Sequence, residues 1–331
     1  MSATPYRIFG SEMSPYSVKV RAYFRYKNIP HVWISRNAAS DEAYRRFAKL
    51  PIVPTVATPE DEGLQDSTPI IEHVEARFPE PSIHPEDSVL RFLSILLEEF
   101  GDEWGNKLMF HHRWYDDLDQ RAASLALSWL ADPTSTPAVA AARAAIIRER
   151  MTGRGHFVGS SPETAPLISA YWFELIDILE PHLATRRYLF GARPAFADFG
   201  LAAQLYEAAI DPTCGASLRA RAPSVLAWCY RMLDPSAAGA FETWSTLAPT
   251  LEPLLAYVGR YFLPWSEANA KALAGGETSF SVRLAGQDYV QGPQKYHAKS
   301  LSVLKGRWRE ASSPDLDRIL DAAACLSVLK S

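Results

Sequence analysis

The chain has 331 residues, 47% hydrophobic and 22% charged, with a formal net charge of -4. This is the composition of a folded globular protein long enough for two domains and an addition, and it excludes a disordered or collagen-like chain. A pI near 6.1 and the lack of any long basic run leave no electrostatic footprint for nucleic acid, and no stretch of about 18 uninterrupted apolar residues marks a membrane span.

The opening "MSATPYRIFG" lacks the charged start and apolar stretch of a signal peptide, so a cytoplasmic protein is expected. Cys214, Cys229 and Cys325 are too few for a disulfide framework and are spaced for neither a zinc site nor a dithiol pair. Alternation then marks Tyr6 to Phe9 as a short strand. Val18, Ala22, Tyr26 and Ile29 recur at helical spacing until Asn28-Ile29-Pro30 ends the pattern. "HVWIS" reads as a second strand, and two strands joined by one helix require a parallel pair with a right-handed crossover.

A helix in "DEAYRRFAKL" follows, then a strand, an acidic glycine-containing turn, a short strand and a helix ended by Pro79. The order βαβαββα within residues 1–80 is the thioredoxin-like plan. "PEPSIHPED" reads as a proline-rich linker. From Glu86 the pattern changes to long helices, with Leu93, Leu96, Phe100, Trp104 and Leu108 on one apolar face, and it continues to about Leu233.

Beyond about Ala240 the chain returns to mixed structure. Helices run through "TLAPTLEPLLAYVGRYFLPWSEANAKAL". Phe280, Val282 and Leu284 then alternate with Ser281 and Arg283 before a turn at Gly286, the pattern of a β-hairpin. Two further helices present Leu301, Leu304 and Trp308, then Leu316, Ile319 and Ala323, as apolar faces that need covering. The expected fold class is α+β: a thioredoxin-like βαβαββα domain (1–80), an all-helical domain (86–238), and an extension of helices with a hairpin (239–331).

Chemistry concentrates at Ser14-Pro15-Tyr16-Ser17, which has the spacing of a redox Cys-x-x-Cys with hydroxyls in place of thiols. Such a pair cannot exchange disulfides. A serine at the start of a helix caps it. The same place, beside unpaired N–H groups and the positive dipole end, also favours a nearby thiolate.

Four stretches in order, "SPYSVKVR", "VPT", "QDST" and "YLFGARPAFADFGL", together resemble a cytosolic glutathione transferase with a serine-type active-site turn, over roughly residues 4–235. The resemblance implies glutathione as cosubstrate, no metal, and attack of the bound thiolate on a hydrophobic small molecule, a chemistry of detoxification. It implies a homodimer, with no nucleic-acid or membrane partner. Ser14 would donate its hydroxyl to the glutathione sulfur, with Ser17 or Tyr16 as alternatives. A cis Val53-Pro54 peptide would present the Val53 backbone to the cysteinyl unit, and at the helix beginning at Asp66-Ser67 the N-terminal amides and the Ser67 hydroxyl would take the γ-glutamyl carboxylate while Asp66 faces its ammonium. Gln65 would add a hydrogen bond.

The sequence departs from the family pattern at two places. Ile52 stands where a basic residue commonly precedes Val-Pro, leaving Lys49 or Arg36 for the glycyl carboxylate. Ala195 replaces the Ser/Thr cap three residues before Asp198, which is expected to keep a buried structural role.

By the same resemblance, Met13, Tyr16, Trp104, Met109, Phe110 and Trp114 are the candidate electrophile pocket. His111 and His112 are adjacent on a helix, about 100° apart, and form no chelating pair. Arg113 is expected to pair with Asp116 or Asp117 or to hold an acidic ligand. Glu98, Glu99, Asp102 and Glu103 are expected on a solvated face. "QGPQKYHAKSL" overhangs the cleft or a dimer surface, or caps the helical domain. A glutathione-dependent lyase or isomerase, and a non-catalytic binding or scaffold protein, are the alternative functions.

Overall fold

The computed structural model describes residues 4–331. Strands β1 (Tyr6–Gly10), β2 (His31–Ser35), β3 (Thr55–Ala57) and β4 (Gly63–Gln65) form one sheet in the order β2-β1-β3-β4. β1 runs parallel to β2, with α1 (Pro15–Tyr26) as the crossover that a parallel pair needs, while β3 is antiparallel to both β1 and β4. α3 (Ser67–Arg77) completes the thioredoxin-like order. The helix expected over "DEAYRRFAKL" is only α2 (Asp41–Arg45). Asn37 caps a 3-10 turn before it, and after Arg45 the chain turns to bury Phe47 beside Phe9.

Register decides where a site can be. Phe9 faces Thr55, and Thr55 faces Gln65. The C-terminal end of β1, the N-terminal end of β3 and the C-terminal end of β4 therefore share one edge of the sheet. The segments that continue from them are Ser11–Ser14, Val53-Pro54 and Asp66-Ser67.

The helical domain comprises α4 (Ser88–Phe100), α5 (Asn106–Tyr115), α6 (Asp117–Ala131), α7 (Pro137–Thr152), α8 (Ala165–Leu183), α9 (Phe196–Ala209), α10 (Pro212–Arg221) and α11 (Pro223–Arg231). Almost every side chain of α9 is buried, so its N-terminus has to satisfy its amides inside the protein. Asp198 does this despite Ala195. Its carboxylate accepts from the Leu189 and Ala195 amides at 2.9 and 2.8 Å and from the Trp228 indole at 2.9 Å. α9 meets α4 and the residue just past it backbone to backbone at glycines: a Cβ on Gly200 would lie 2.8 Å from the Glu98 carbonyl oxygen, and one on Gly101 2.6 Å from the Leu201 nitrogen. Between α4 and α5 the helix widens into a π-turn, Gly101–Gly105.

The extension contains α12 (Trp244–Tyr257), a second π-turn (Val258–Phe262), α13 (Leu263–Ala274), and the hairpin of β5 (Phe280–Leu284) with β6 (Gln287–Gln291). Ala285 and Gly286 both take positive φ, 46° and 84°, as a tight two-residue hairpin loop demands. Three helices follow where two are expected: α14 (Lys295–Ala311), α15 (Pro314–Ala322) and α16 (Leu326–Lys330). Leu301, Leu304, Trp308, Leu316, Ile319 and Ala323 are all buried. Each fully covered leucine or isoleucine contributes about 1.5–3 kcal/mol. Among the described residues no helix is long and apolar enough to cross a membrane.

Candidate functional site

The turn between β1 and α1 is built from its own serines. The Ser14 amide donates to the Ser11 carbonyl at 3.2 Å, the Met13 amide to Ser11 Oγ at 3.3 Å, and the Ser11 amide to Ser17 Oγ at 3.3 Å. Ser14 is the N-cap of α1, its Oγ accepting from the Ser17 amide at 3.3 Å. Ser14 is half-buried, and its hydroxyl proton is donated to no group among the described residues. Ser17 is fully buried. The Tyr16 hydroxyl donates at 3.0 Å to the Asp102 carbonyl in the π-turn. Burial, reinforced by Glu103 and Asp102, pushes the Tyr16 phenol well above its ordinary value.

Beside this turn the Val53-Pro54 peptide is cis. Among the described residues neither the Val53 N–H nor its C=O has a hydrogen-bond partner, so an extended ligand backbone finds both groups free. Gln65 does something the sequence did not show. Its Oε1 accepts from the Lys49 and Leu50 amides at 2.8 and 2.9 Å, and its Nε2 donates to the Leu50 carbonyl at 2.8 Å and Thr55 Oγ1 at 2.9 Å. It therefore braces the loop ahead of Pro54. Ile52, at 45% exposure, and Lys49 lie on the outside of that loop. Arg36 pairs with Asp41 at 2.5 Å.

Asp66 takes a positive φ of 76°, turning the chain into α3. Behind it lies a buried polar cluster. Lys19, wholly buried on α1, pairs with Glu98, with Asp102 Oδ2 at 2.6 Å, and donates to Thr68 Oγ1 at 2.8 Å. Ser67 turns inward, its Oγ 3.4 Å from Asp102 Oδ2. Burial works against the Lys19 charge, but Asp102 and Glu98 outweigh it and hold the ammonium above its ordinary pKa. Asp102 is pushed up to about 7 by burial, with Glu98 and Glu103 adding to the rise and Lys19 opposing it.

The expected solvated acidic face is therefore corrected, because three of its four carboxylates are buried and all four are paired. Glu98 and Asp102 take Lys19, Glu99 takes Ser300, and Glu103 takes His297. Arg113 is also corrected. It is buried and reaches across the fold to Asp211 at 2.7 Å and Glu207 at 2.8 Å, and its Nη1 donates to the Met13 carbonyl at 3.2 Å. This last bond ties α5 to the turn before Ser14.

Of the proposed pocket residues, Trp104 is in the core, not in a cleft. Its indole donates to the Tyr257 hydroxyl at 3.2 Å, and its ring packs among Tyr171, Tyr261, Trp265 and Tyr289. Met109 and Trp114 are buried as well, whereas Phe110, packed against Trp114, remains partly exposed. His111 bonds Ser160 Oγ at 2.7 Å, and burial pushes its pKa down to about 3.

Of the placements open to "QGPQKYHAKSL", overhanging the cleft or a dimer surface or capping the helical domain, the structure brings its first helical turn to this edge. The Tyr296 hydroxyl donates to the Asp66 carboxylate, 3.1 and 3.0 Å from its two oxygens. His297 meets Glu103, and Arg307 meets Glu72 of α3. The only advance signal was the cluster of polar residues in "QKYHAK".

Comparison with known proteins agrees with this architecture. The model of the glutathione S-transferase N-terminal domain matches residues 8–82, and that of the glutathione S-transferase C-terminal domain matches residues 140–231. No curated protein matches the chain significantly. Similar solved structures include a glutathione S-transferase from Rhodospirillum rubrum, 16% identical, covering 73% of this chain and 98% of its own, with a TM-score of 0.44. A Tau-class glutathione S-transferase from mango, Mangifera indica, is 16% identical over 75% of this chain and 97% of its own, TM-score 0.43. A maleylacetoacetate isomerase from Anaeromyxobacter dehalogenans, with bound dicarboxyethyl glutathione, is 20% identical over 71% of this chain and 86% of its own, TM-score 0.42. With the two domain models in the expected order on either side of the α3–α4 junction, the chain belongs to the glutathione transferase superfamily.

Proposed function

We propose that the chain binds glutathione along the edge shared by β1, β3 and β4 and ionises its thiol for attack on a hydrophobic electrophile. The observation that carries this reading is the Val53 N–H and C=O and the Ser14 hydroxyl proton, all without a partner among the described residues, on segments that the register brings to one edge. In this reading Ser14 donates to the sulfur, the backbone at Val53-Pro54 takes the cysteinyl unit, and Asp66 with the first amides of α3 takes the γ-glutamyl group. Ser17 and Tyr16 are the weaker candidates, since one is buried and the other is bonded to Asp102. Gln65 acts through the loop it braces, and Lys49 is the cation nearest in sequence for the glycyl carboxylate.

The electrophile would lie against Met13, Tyr16 and Phe110, with the buried Trp114 packed behind Phe110, where the Arg113 bond brings α5 to the turn. The division into 1–80, 86–238 and 239–331, a cytoplasmic setting and a homodimer belong to the same proposal, with light scattering as the test of the last. Product analysis tests the reaction. Incubation with glutathione and aryl halides should give a thioether with release of halide, whereas an isomerase returns glutathione unchanged and a lyase yields a cleaved fragment. A second reading, a non-catalytic binding protein, is favoured by the contact that already engages Asp66; binding of glutathione with no product in any of these assays would select it.

A further inference from the structure

The first turn of α14 lies against the candidate site and touches the carboxylate that the proposed function assigns to the glutathione ammonium. Tyr296 donates to both oxygens of Asp66, at 3.1 and 3.0 Å, across 230 residues of sequence. The rest of the helix is firmly held. Leu301 and Leu304 are buried, His297 pairs with Glu103, Arg307 pairs with Glu72, and Gln294 exchanges two hydrogen bonds with the Asn269 amide at 3.0 and 2.7 Å. Tyr296, by contrast, is 51% exposed. It can swing about χ1 without uncovering any core, while the helix beneath it stays in place.

Resting on the glutathione reading of this site, we propose that Tyr296 is a latch: its hydroxyl occupies the Asp66 carboxylate in the free protein, and the α-ammonium of glutathione must displace it to bind. The chemistry supports competition over cooperation. Asp66 is a half-buried carboxylate whose direction is fixed by the chain turning into α3 at a positive φ of 76°, and the Tyr296 hydroxyl, within 3.1 Å of both its oxygens, fills the position in front of the carboxylate that an ammonium bonding both oxygens would take. A hydroxyl-to-carboxylate bond is stronger than a neutral one, so the latch lowers glutathione affinity while it is closed. The extension thereby makes occupancy depend on the ligand's amino group.

The test is calorimetric titration of the full chain, wild type and Tyr296→Phe, with reduced glutathione and with its N-acetyl derivative, which lacks the ammonium. The phenyl ring keeps the packing and removes only the bond, and circular dichroism checks that the variant is folded. The latch predicts about 5- to 30-fold tighter glutathione binding by Tyr296→Phe, and no gain for the N-acetyl derivative. Equal or weaker glutathione binding by the variant overturns the latch and leaves the glutathione reading standing. An equal gain for both ligands overturns competition for Asp66 in favour of simple crowding. No binding by either protein at millimolar glutathione overturns the latch and the glutathione reading together.

Discussion

Replacing Lys19 by Met removes the ammonium that pairs with both Glu98 and Asp102. Lys19 is wholly buried and donates to Glu98, Asp102 and Thr68. Methionine fills much the same volume, so the packing loss is small. The charge loss is not, because breaking a buried ion pair by deleting one partner costs about 3–5 kcal/mol. Without Lys19, which opposes the rise, the Asp102 carboxyl is pushed further up and relieves the stranded charge by taking up a proton. A raised carboxyl pKa means that the folded state binds more protons than the unfolded one, so stability falls as pH rises.

The Lys19→Met deficit should therefore be about 3–5 kcal/mol near pH 7.5. It should shrink toward about 1–2 kcal/mol near pH 5.5, since each pKa unit is worth about 1.4 kcal/mol. Urea unfolding at the two pH values measures it, and adding Glu98→Gln and Asp102→Asn should flatten the pH dependence. A deficit below about 1 kcal/mol, or one that does not change with pH, would refute the electrostatic reasoning.

Other consequences concern the extension and the acid limb. A Cβ on Gly259 would sit 1.9 Å from the Ala323 carbonyl oxygen, so Gly259→Ala should cost about 1–3 kcal/mol and speed proteolysis of the last two helices. Gly306→Ala, with nothing within 4 Å of the new methyl, should be neutral or stabilising in the same assays. His182 is buried neutral, bonded to Thr250 Oγ1 at 2.8 Å and to the Leu189 carbonyl at 2.9 Å, and its pKa is pushed down to about 4 by burial. Since the unfolded imidazole titrates near pH 6.5, its contribution is intact above that value and is lost as pH falls toward 4. His182→Gln should flatten the fall in stability between pH 7 and 4.5 by about 2–3 kcal/mol.

Much of the fold is written in local pattern. The alternation at Phe280 to Leu284 and the Ala285-Gly286 turn name the hairpin, and the helical spacing of Val18, Ala22 and Tyr26 names α1. The cis Val53-Pro54 peptide was reached through the resemblance of "VPT", as was the buried role of Asp198. What escaped the sequence is pairing over long separations. Nothing near Arg113 says that it prefers Glu207 and Asp211 to the neighbouring Asp116 and Asp117, because that choice is made by α5 packing on α9. Trp104 looked like a cleft residue until α13 and β6 brought Trp265 and Tyr289 against it. The acidic run was read as solvated because the cation that neutralises two of its members, Lys19, lies on a helix 79 residues away in sequence.

The central claim is tested most directly by difference ultraviolet titration of the thiolate of bound glutathione, on the wild type and on Ser14→Ala, Ser17→Ala and Tyr16→Phe. The account predicts a bound thiol pKa at least about one unit below the free value of about 8.5, returned toward that value by Ser14→Ala alone. Losing the Ser14 cap should also cost about 1 kcal/mol of stability, so the variants are compared where all are folded. A thiol that titrates like free glutathione when bound to the wild type, or one indifferent to Ser14→Ala, would contradict it.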